Sequence, residues 1–320
     1  HTVKFVQNSE LKIIGYNAFS DTLIKSITIP NTVTAICANA FMNCHKLQTV
    51  SISPDSNLQV LGDFCFSGSS IKSIFIPKNV THIGDYAFYG HKKLTTVTFD
   101  PDSILYKVGE NAFIGSLIER IEFPPSICIL KGGFDAKITE VVVSPNNSSL
   151  QWIDGILYGK SDPKIDSFDT LILANKEIEQ AIIPKDIKFI ENYCFSECIK
   201  LTNVTFLPGS QLQFIGSFAF YQSSIESIII PQHVKSIEEN TFKQCKKLQN
   251  VTFSPDSELQ LIKESAFAES PISSIAIPYH VKKIKEFAFQ KCSLNNVEFA
   301  DNCELRYIER EAFSCNYLLK

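Results

Sequence analysis

One phrase occurs four times in this chain, with small variations. FSPDSELQLIKESAF runs from Phe253 to Phe267, and near-copies are ISPDSNLQVLGDFCF (Ile52–Phe66), FDPDSILYKVGENAF (Phe99–Phe113) and FLPGSQLQFIGSFAF (Phe206–Phe220). Self-similarity of this kind is typical of repeat architectures, in which each repeat buries its apolar edge only by stacking on its neighbours. The phrase therefore predicts a solenoid.

The phenylalanine that closes each phrase marks a repeat along most of the chain. The anchors form two sets, up to Phe134 and from Phe195, and within each set successive anchors are 21 to 25 residues apart, mostly in alternating steps of 22 and 25, so short and long coils alternate. The anchors are Phe19, Phe41, Phe66, Phe88, Phe113, Phe134, Phe195, Phe220, Phe242, Phe267, Phe289 and Phe313.

Each repeat begins with a six-residue strand pattern. Examples are IESIII (225–230) and LQNVTF (248–253), in which positions 1, 4 and 6 are apolar and β-branched residues are frequent. A proline then follows, either directly or after one further residue, and proline cannot donate to a strand ladder. Because side chains alternate along a strand, positions 3 and 5 are expected to point away from the core.

A second pattern follows the strand. In the short coil VTHIGDYAF (80–88), we place Val80, Ile83, Ala87 and Phe88 on one side of a short helical turn. The acidic residue near the start of this segment, Asp85 in this coil, suits the positive end of a helix dipole. Each coil is therefore predicted to return through a short helical or irregular segment.

The combined pattern LxxIxI-P-xxVxxIGxxAFxxC resembles the BspA-like class of leucine-rich repeats, which occurs on surface proteins of anaerobic bacteria and protozoan parasites. The resemblance covers nearly the whole chain. It implies an α/β leucine-rich repeat solenoid, with a parallel β-sheet on the concave face and helical or irregular segments on the convex face. The pattern lacks the inward asparagine of the commonest leucine-rich repeat, so we expect no asparagine ladder.

The array is interrupted once, at about residues 144–177. Two apolar runs, WIDGILYG (152–159) and TLILAN (170–175), flank a polar loop that contains proline. This arrangement favours a β-hairpin insertion, either as padding on the solenoid or as a binding protrusion. We otherwise expect one solenoid domain over residues 1–320, and a chain that is a fragment of a longer protein.

Charge and hydropathy exclude several classes of partner. The formal net charge is −4, and no run of lysine or arginine exceeds two residues. Nucleic acid is therefore not an expected partner. No apolar run approaches the roughly 18 residues that a membrane-spanning helix needs, so we expect no membrane insertion by this chain.

Most of the ten cysteines are predicted to be reduced, buried structural thiols. Cys44, Cys198, Cys245 and Cys292 all stand three residues after an anchor phenylalanine, where long coils carry serine. Free cysteine at such a position behaves as a small hydrophobe. Zinc-type spacing is missing, and only Cys292 and Cys315 lie in adjacent coils where a disulfide could form.

The six histidines are predicted to occupy solvent-facing positions, including His45 and His91 after the anchor element. None pairs with a recurring serine, cysteine or carboxylate in the way that a nucleophile and its base require. The sequence therefore predicts no catalytic, metal or cofactor site and a protein that is not an enzyme.

The remaining candidate site is the outward face of the strands. Strand position 3 is mostly uncharged and polar, position 5 mixes threonine with apolar residues, and a band of charge lies at Glu119, Arg120 and Glu122. The face is either a tolerant surface or a recognition face, since solenoids bind along their concave side. The predicted partner-binding residues are Phe75, Thr98, Arg120, Glu122, Val142, Ile182, Thr205, Ile229 and Thr252.

By analogy with the resembled family, we expect a recognition scaffold at a cell surface or in a secreted protein. Its role would be adhesion or host interaction, through a protein or glycan partner on the concave face. The alternative is a cytoplasmic repeat scaffold for protein–protein interaction in signalling, which is compatible with many free thiols.

Overall fold

The computed structural model describes residues 2–6, 8–134 and 137–319. The chain divides into two compact units, His1–Ser167 and Phe168–Lys320. Each unit is a stack of similar coils, and a typical coil contributes one longer strand and one two-residue strand. The longer strands pair in parallel in sets of two or three, and most of the two-residue strands join larger sheets. Counted over both units, the coils give about 13 turns of a parallel β-solenoid of leucine-rich type. The expectation of a single domain stays a prediction.

All the described elements are strands. In the first unit they are β1 (Thr2–Val3), β2 (Ile13–Ile14), β3 (Ser26–Thr28), β4 (Ala35–Ile36), β5 (Thr49–Ser51), β6 (Val60–Leu61), β7 (Ser73–Ile76), β8 (His82–Ile83), β9 (Thr96–Phe99), β10 (Lys107–Val108), β11 (Arg120–Phe123), β12 (Ile129–Leu130), β13 (Glu140–Val143), β14 (Leu150–Ile153) and β15 (Ile156–Gly159). In the second unit they are β16 (Thr170–Ala174), β17 (Gln180–Ile183), β18 (Phe189–Ile190), β19 (Asn203–Phe206), β20 (Phe214–Ile215), β21 (Ser227–Ile230), β22 (Ser236–Ile237), β23 (Asn250–Phe253), β24 (Leu261–Ile262), β25 (Ser274–Ile277), β26 (Lys283–Ile284), β27 (Asn296–Phe299) and β28 (Tyr307–Ile308).

The longer strands form parallel ladders in which each residue meets the same strand position of the next coil. In β21 and β23, for example, Ile228 pairs with Val251 and Ile229 pairs with Thr252. Ile228 and Val251 are buried, whereas Ile229 and Thr252 are exposed. The alternation follows from the strand geometry, which sends successive side chains to opposite faces. Strand positions 4 and 6 therefore mostly build the core, and positions 3 and 5 face solvent.

The segment around each anchor phenylalanine is not helical, so the predicted helical turn and the α/β class are wrong. The described residues contain no helix, and these segments are consecutive tight turns. Except at Phe134, the residues two before and two after each anchor have a positive φ, between 52° and 79°. Left-handed residues at such regular intervals interrupt the repeated right-handed conformation that a helix needs.

Hydrogen bonding between coils explains why these turns replace a helix. In the Phe220 turn, the N–H groups of Phe218, Phe220 and Gln222 donate to carbonyl oxygens of the next coil, at 2.9 to 3.0 Å. The N–H groups of Ala219 and Tyr221 donate to the carbonyl three residues back, at 3.2 and 3.1 Å. Alternate backbone donors thus bond along the stack, whereas a helix keeps its donors inside one segment.

The anchor phenylalanines stack into two ladders, one in each unit. Neighbouring rings lie nearly parallel at centroid distances of 5.1 to 5.6 Å, from Phe19 to Phe134 in the first unit. From Phe195 to Phe313 in the second unit the distances are 5.1 to 5.2 Å. The interior rings are fully buried. Each ladder forms the apolar spine of its unit, as the period of the sequence predicts.

The insertion contains an antiparallel hairpin inside the first apolar run. β14 pairs with β15, and the two-residue turn between them is Asp154–Gly155, with φ values of 48° and 78°. Asp-Gly is a pair that two-residue hairpin turns favour, because both positions need a positive φ. The sequence analysis did not predict a turn at Asp154–Gly155. The second apolar run forms β16, which is buried and pairs in parallel with β18 as part of the solenoid.

Candidate functional site

The nine predicted partner-binding residues all lie on the outward face of the longer strands. Phe75 and Val142 are half-buried, and the other seven are exposed. Strand register brings eight of them together as four neighbouring pairs, and Arg120 lies opposite Glu140. The four pairs are Phe75 with Thr98, Glu122 with Val142, Ile182 with Thr205, and Ile229 with Thr252.

In the first unit this face forms a groove of about 860 Å³ across β9, β11 and β13. Thr98, Arg120, Glu122 and Val142 line it, together with the prolines of the loops that follow the strands. Phe75 does not line the groove. The arrangement offers hydroxyl, ionic and apolar contacts within one concavity.

Arg120 is the centre of the charge band on this groove. Its Nε donates to Glu140 Oε1 at 3.0 Å, and its guanidinium lies 3.6 Å from Glu122 Oε2. The hydrogen bond and the charge of Glu140 raise the pKa of Arg120. The sequence predicted Glu119, Arg120 and Glu122 but missed Glu140, which register places directly opposite Arg120. Because both side chains are exposed, this pair contributes little to stability.

The second unit carries two adjoining grooves on the same strand face. One, of about 450 Å³, is lined by Asn203, Thr205 and Ile229, and the other, of about 620 Å³, by Thr252 and Glu298. Residues 254–256 line both grooves. The sequence reasoning did not include these loop residues, although the Pro-Asp-Ser motif after long-coil strands places them beside the face.

Two isoleucines on this face expose unusually large apolar surfaces. Ile182 is 64% exposed and Ile229 is 62% exposed, although both stand in well-ordered parallel ladders. Their neighbours across the strands, Thr205 and Thr252, are polar. The second unit therefore presents apolar side chains that its own core does not use.

Most of the cysteines lie in the core, while three are half-buried and Cys315 is exposed. All ten are free, including Cys292 and Cys315, and six are buried. The thiol of Cys245 donates to the carbonyl oxygen of Phe220 in the preceding coil, at 3.0 Å, and Cys292 does the same to Phe267 at 3.2 Å. Burial raises the pKa of Cys245 and of Cys292 to about 12. Among the described residues, no group of three His, Cys, Asp or Glu side chains is arranged to hold a metal ion.

His91 is fully buried, so its predicted place at the solvent-facing surface is wrong. It stands three residues after Phe88, where other short coils carry cysteine. Its Nε2 donates to the carbonyl oxygen of Phe66 at 2.6 Å, in the same way that Cys245 bonds to Phe220. Burial lowers the pKa of His91. The histidine thus replaces a core thiol and is not a candidate base.

The strand, turn and phenylalanine ladders define a leucine-rich repeat protein. The model of the BspA type leucine rich repeat region matches six copies, over residues 12–135, 167–278 and 260–320. The chain therefore belongs to the BspA-type leucine-rich repeat family.

Solved structures of bacterial leucine-rich repeat proteins resemble the chain. A leucine rich cell surface protein from Faecalibacterium prausnitzii is 26% identical, with a TM-score of 0.70 over 91% of this chain and 83% of that one. A leucine-rich repeat protein from Eubacterium ventriosum is 23% identical, with a TM-score of 0.66 over 91% and 82%. The pneumococcal vaccine antigen PcpA is 22% identical, with a TM-score of 0.64 over 90% and 84%. The last two likenesses concern the fold alone.

A comparison with curated proteins found no match. In the part of the chain that the structure describes, there is no helix of the length and apolar character that crossing a membrane requires.

Proposed function

We propose that the protein is a non-enzymatic recognition scaffold that binds a partner on the outward face of its longer strands. The exposure of Ile182 and Ile229 is the observation that carries this proposal. An apolar side chain that a core does not use gains free energy when a partner removes it from water. Exposed apolar positions set among hydroxyls and amides are also the composition that a binding face needs.

The fold separates the residues that hold the structure from those that can contact a partner. Strand positions 4 and 6 and the anchor phenylalanines fill most of the core, whereas positions 3 and 5 lie on the opposite, mostly exposed face of the strands. Side chains on the outward face can therefore vary without disturbing the stack. The parallel pairing of β17 with β19 and of β21 with β23 holds Ile182 and Ile229 in fixed positions, which lowers the entropy cost of binding.

We propose that this scaffold acts at a cell surface, with a role in adhesion or host interaction. This proposal rests on the 26% identity to a leucine rich cell surface protein over most of both chains. A protein is the preferred partner, because interleaved isoleucine, threonine and asparagine suit a polypeptide with mixed side chains. A glycan is the other class of partner, and binding experiments must distinguish it from a protein.

A cytoplasmic signalling scaffold is the second candidate, and the ten free cysteines favour it. Free thiols persist most readily in reducing compartments. The two candidates differ in where the protein resides. Membrane-impermeant biotinylation of intact cells, with a cytosolic protein as the control, labels a surface protein and leaves a cytoplasmic one unlabelled.

The proposed function is tested by placing charge on the exposed isoleucines. We expect the double variant Ile182→Glu, Ile229→Glu to fold, because both side chains point into solvent, and to lose its partner in pulldowns from intact target cells. Ile199→Glu is the matched control, since Ile199 is 66% exposed but lies in a loop before a strand. Equal recovery of the same partner by wild type and by the folded double variant would reject the outward face as the binding surface.

A further inference from the structure

The outward faces of the two units differ in their basic side chains. At strand positions 3 and 5, which point outward, the second unit carries Glu298 and no lysine or arginine. The same positions of β3 to β13 in the first unit carry Arg120, Glu122 and Glu140. The acidic side chains of the first unit therefore have a basic side chain beside them, whereas Glu298 in the second unit has none among the described residues.

The two grooves of the second unit share this lack of basic side chains. Neither lining contains a lysine or arginine, and Asp256 belongs to both. Glu298 lines the second groove, where Asn296 Nδ2 donates to its Oε1 at 2.8 Å and holds the carboxylate on the strand face. Asp256 thus lines the same groove as the exposed side chains of Ile229 and Leu207, and Glu298 lines the adjoining groove.

Two lysines in loops beside this face have acidic partners. Lys200 forms an ion pair with Glu177, and Lys246 Nζ lies 3.4 Å from Glu269 Oε2. These lysines stand in loops that precede the strands, whereas both grooves extend into the loops that follow them. A basic partner is therefore the group that complements Asp256 and Glu298.

We propose that the outward face of the second unit binds an extended protein segment that carries lysine or arginine together with aliphatic side chains. This inference rests on the proposed function, because it takes the outward face as the recognition surface. The ammonium or guanidinium donates to the carboxylates of Asp256 and Glu298. Aliphatic side chains of the segment contact Ile229 and Leu207, and the side-chain amide of Asn203 is placed to bond the segment's backbone.

The strand spacing sets the pattern that the segment must carry. β21 and β27 are three coils apart, so Ile229 and Glu298 are separated by about 14 Å at roughly 4.8 Å per strand. An extended chain advances about 3.3 Å per residue, so about four residues span that distance. The segment should therefore place a basic residue about four positions from an aliphatic one. Polyanions such as nucleic acid are repelled by the same carboxylates.

The test begins with a phage-displayed library of random linear peptides, panned on the full chain. We expect enrichment of peptides with lysine or arginine about four residues from leucine, isoleucine or valine. Enrichment of acidic or uncharged peptides, or selective binding of neutral oligosaccharides in place of peptides, overturns the inference.

One enriched peptide, labelled with fluorescein, then serves in anisotropy titrations against variants. Glu298→Lys should weaken binding about tenfold or more, because it replaces attraction by repulsion at a contact. Glu298→Gln, which removes the charge without reversing it, should weaken binding less. The matched control is Glu264→Lys, which reverses an exposed charge in a turn segment of the same unit, away from the longer strands. Glu122→Lys, at the same strand position of β11, asks whether the peptide binds the first unit instead. Binding should also weaken between roughly 0.1 M and 1 M salt, where the Debye length falls from about 10 Å to about 3 Å.

The variants distinguish failure of this inference from failure of the proposed function. If Glu122→Lys abolishes binding and Glu298→Lys does not, the outward face remains the binding surface but the assignment to the second unit is wrong. If none of Glu122→Lys, Glu298→Lys and the isoleucine double variant changes binding, the outward face itself is rejected.

Discussion

The rings of Phe220 and Phe242 lie 5.2 Å apart between centroids, with an angle of 8° between their planes. Both side chains are fully buried, and each anchors its own coil. The N–H of Phe220 also donates to the next coil at 2.9 Å. Side-chain stacking and backbone bonding therefore join the same pair of coils, which is how repeats of this kind stabilise one another.

Truncation of an interior anchor should be costly. Phe220→Ala removes a ring that is stacked on both sides, so we expect the free energy of unfolding to fall by about 3–5 kcal/mol. Phe19→Ala should cost less, because Phe19 is only partly buried and its one stacked neighbour is Phe41. Urea unfolding followed by circular dichroism measures both. Equal, small losses at the two positions would refute the anchor role.

The left-handed turn positions should discriminate between residue types. Asn240 has a φ of 56°, and its N–H donates to Glu264 O of the next coil at 3.0 Å. Asn240→Val should destabilise the protein by about 1–3 kcal/mol, because a β-branched residue resists positive φ. Asn240→Gly should be nearly neutral, since glycine adopts this conformation readily. Thermal unfolding compares the two variants, and equal stability would argue against the turn geometry.

His91 should make stability depend on pH. Burial lowers its pKa in the folded state, while the unfolded chain takes up a proton below about pH 6.5. The neutral side chain of His91 therefore contributes to stability above about pH 6.5, and this contribution is lost as the pH falls below that value. We expect His91→Cys, which restores the usual residue, to lose less stability than wild type between about pH 7 and pH 5. Exposed His82→Gln is the control, and an unchanged pH profile in His91→Cys would contradict the assignment.

The thiols should be slow to react in the folded protein. Cys245 and Cys292 are buried with pKa values raised to about 12, whereas Cys315 is exposed. Ellman's reagent should label Cys315 quickly and most other cysteines only in denaturant, because the thiolate is the reactive form. Three or more native disulfides, or stoichiometric zinc by metal analysis, would contradict the structural role.

Much of the fold could be predicted because the same residue pattern recurs in coil after coil. The apolar positions 4 and 6 of strands such as IESIII (225–230) predicted the buried face, and the period of Phe220 and Phe242 predicted the core ladder. The error concerned the turn. Apolar residues at helix-like spacing are also compatible with stacked tight turns. Hydrogen bonds to the next coil produce no recognisable sequence pattern within one repeat. Asparagine at the same turn position, as in Asn39 and Asn240, was the available signal for positive φ.

The site was less predictable, because it depends on which residues from different coils meet. Glu140 was missed since its link to Arg120 arises only from the register of β11 and β13. His91 was misplaced since its type suggested the surface, whereas its position three residues after Phe88 matched the buried cysteines. Comparison of equivalent coil positions, rather than residue types, would have found both.

Hydrogen exchange of the protein alone and with its partner, or with the enriched peptide, tests the central claim most directly. If the outward face binds, exchange should slow at the amides of residues 207, 209, 210, 254 and 256, which follow the strands and line the grooves of the second unit. Exchange in the turn at residues 240–244, around anchor Phe242, should not change. Protection confined to such anchor turns, with residues 207–210 and 254–256 unaffected, would contradict the account.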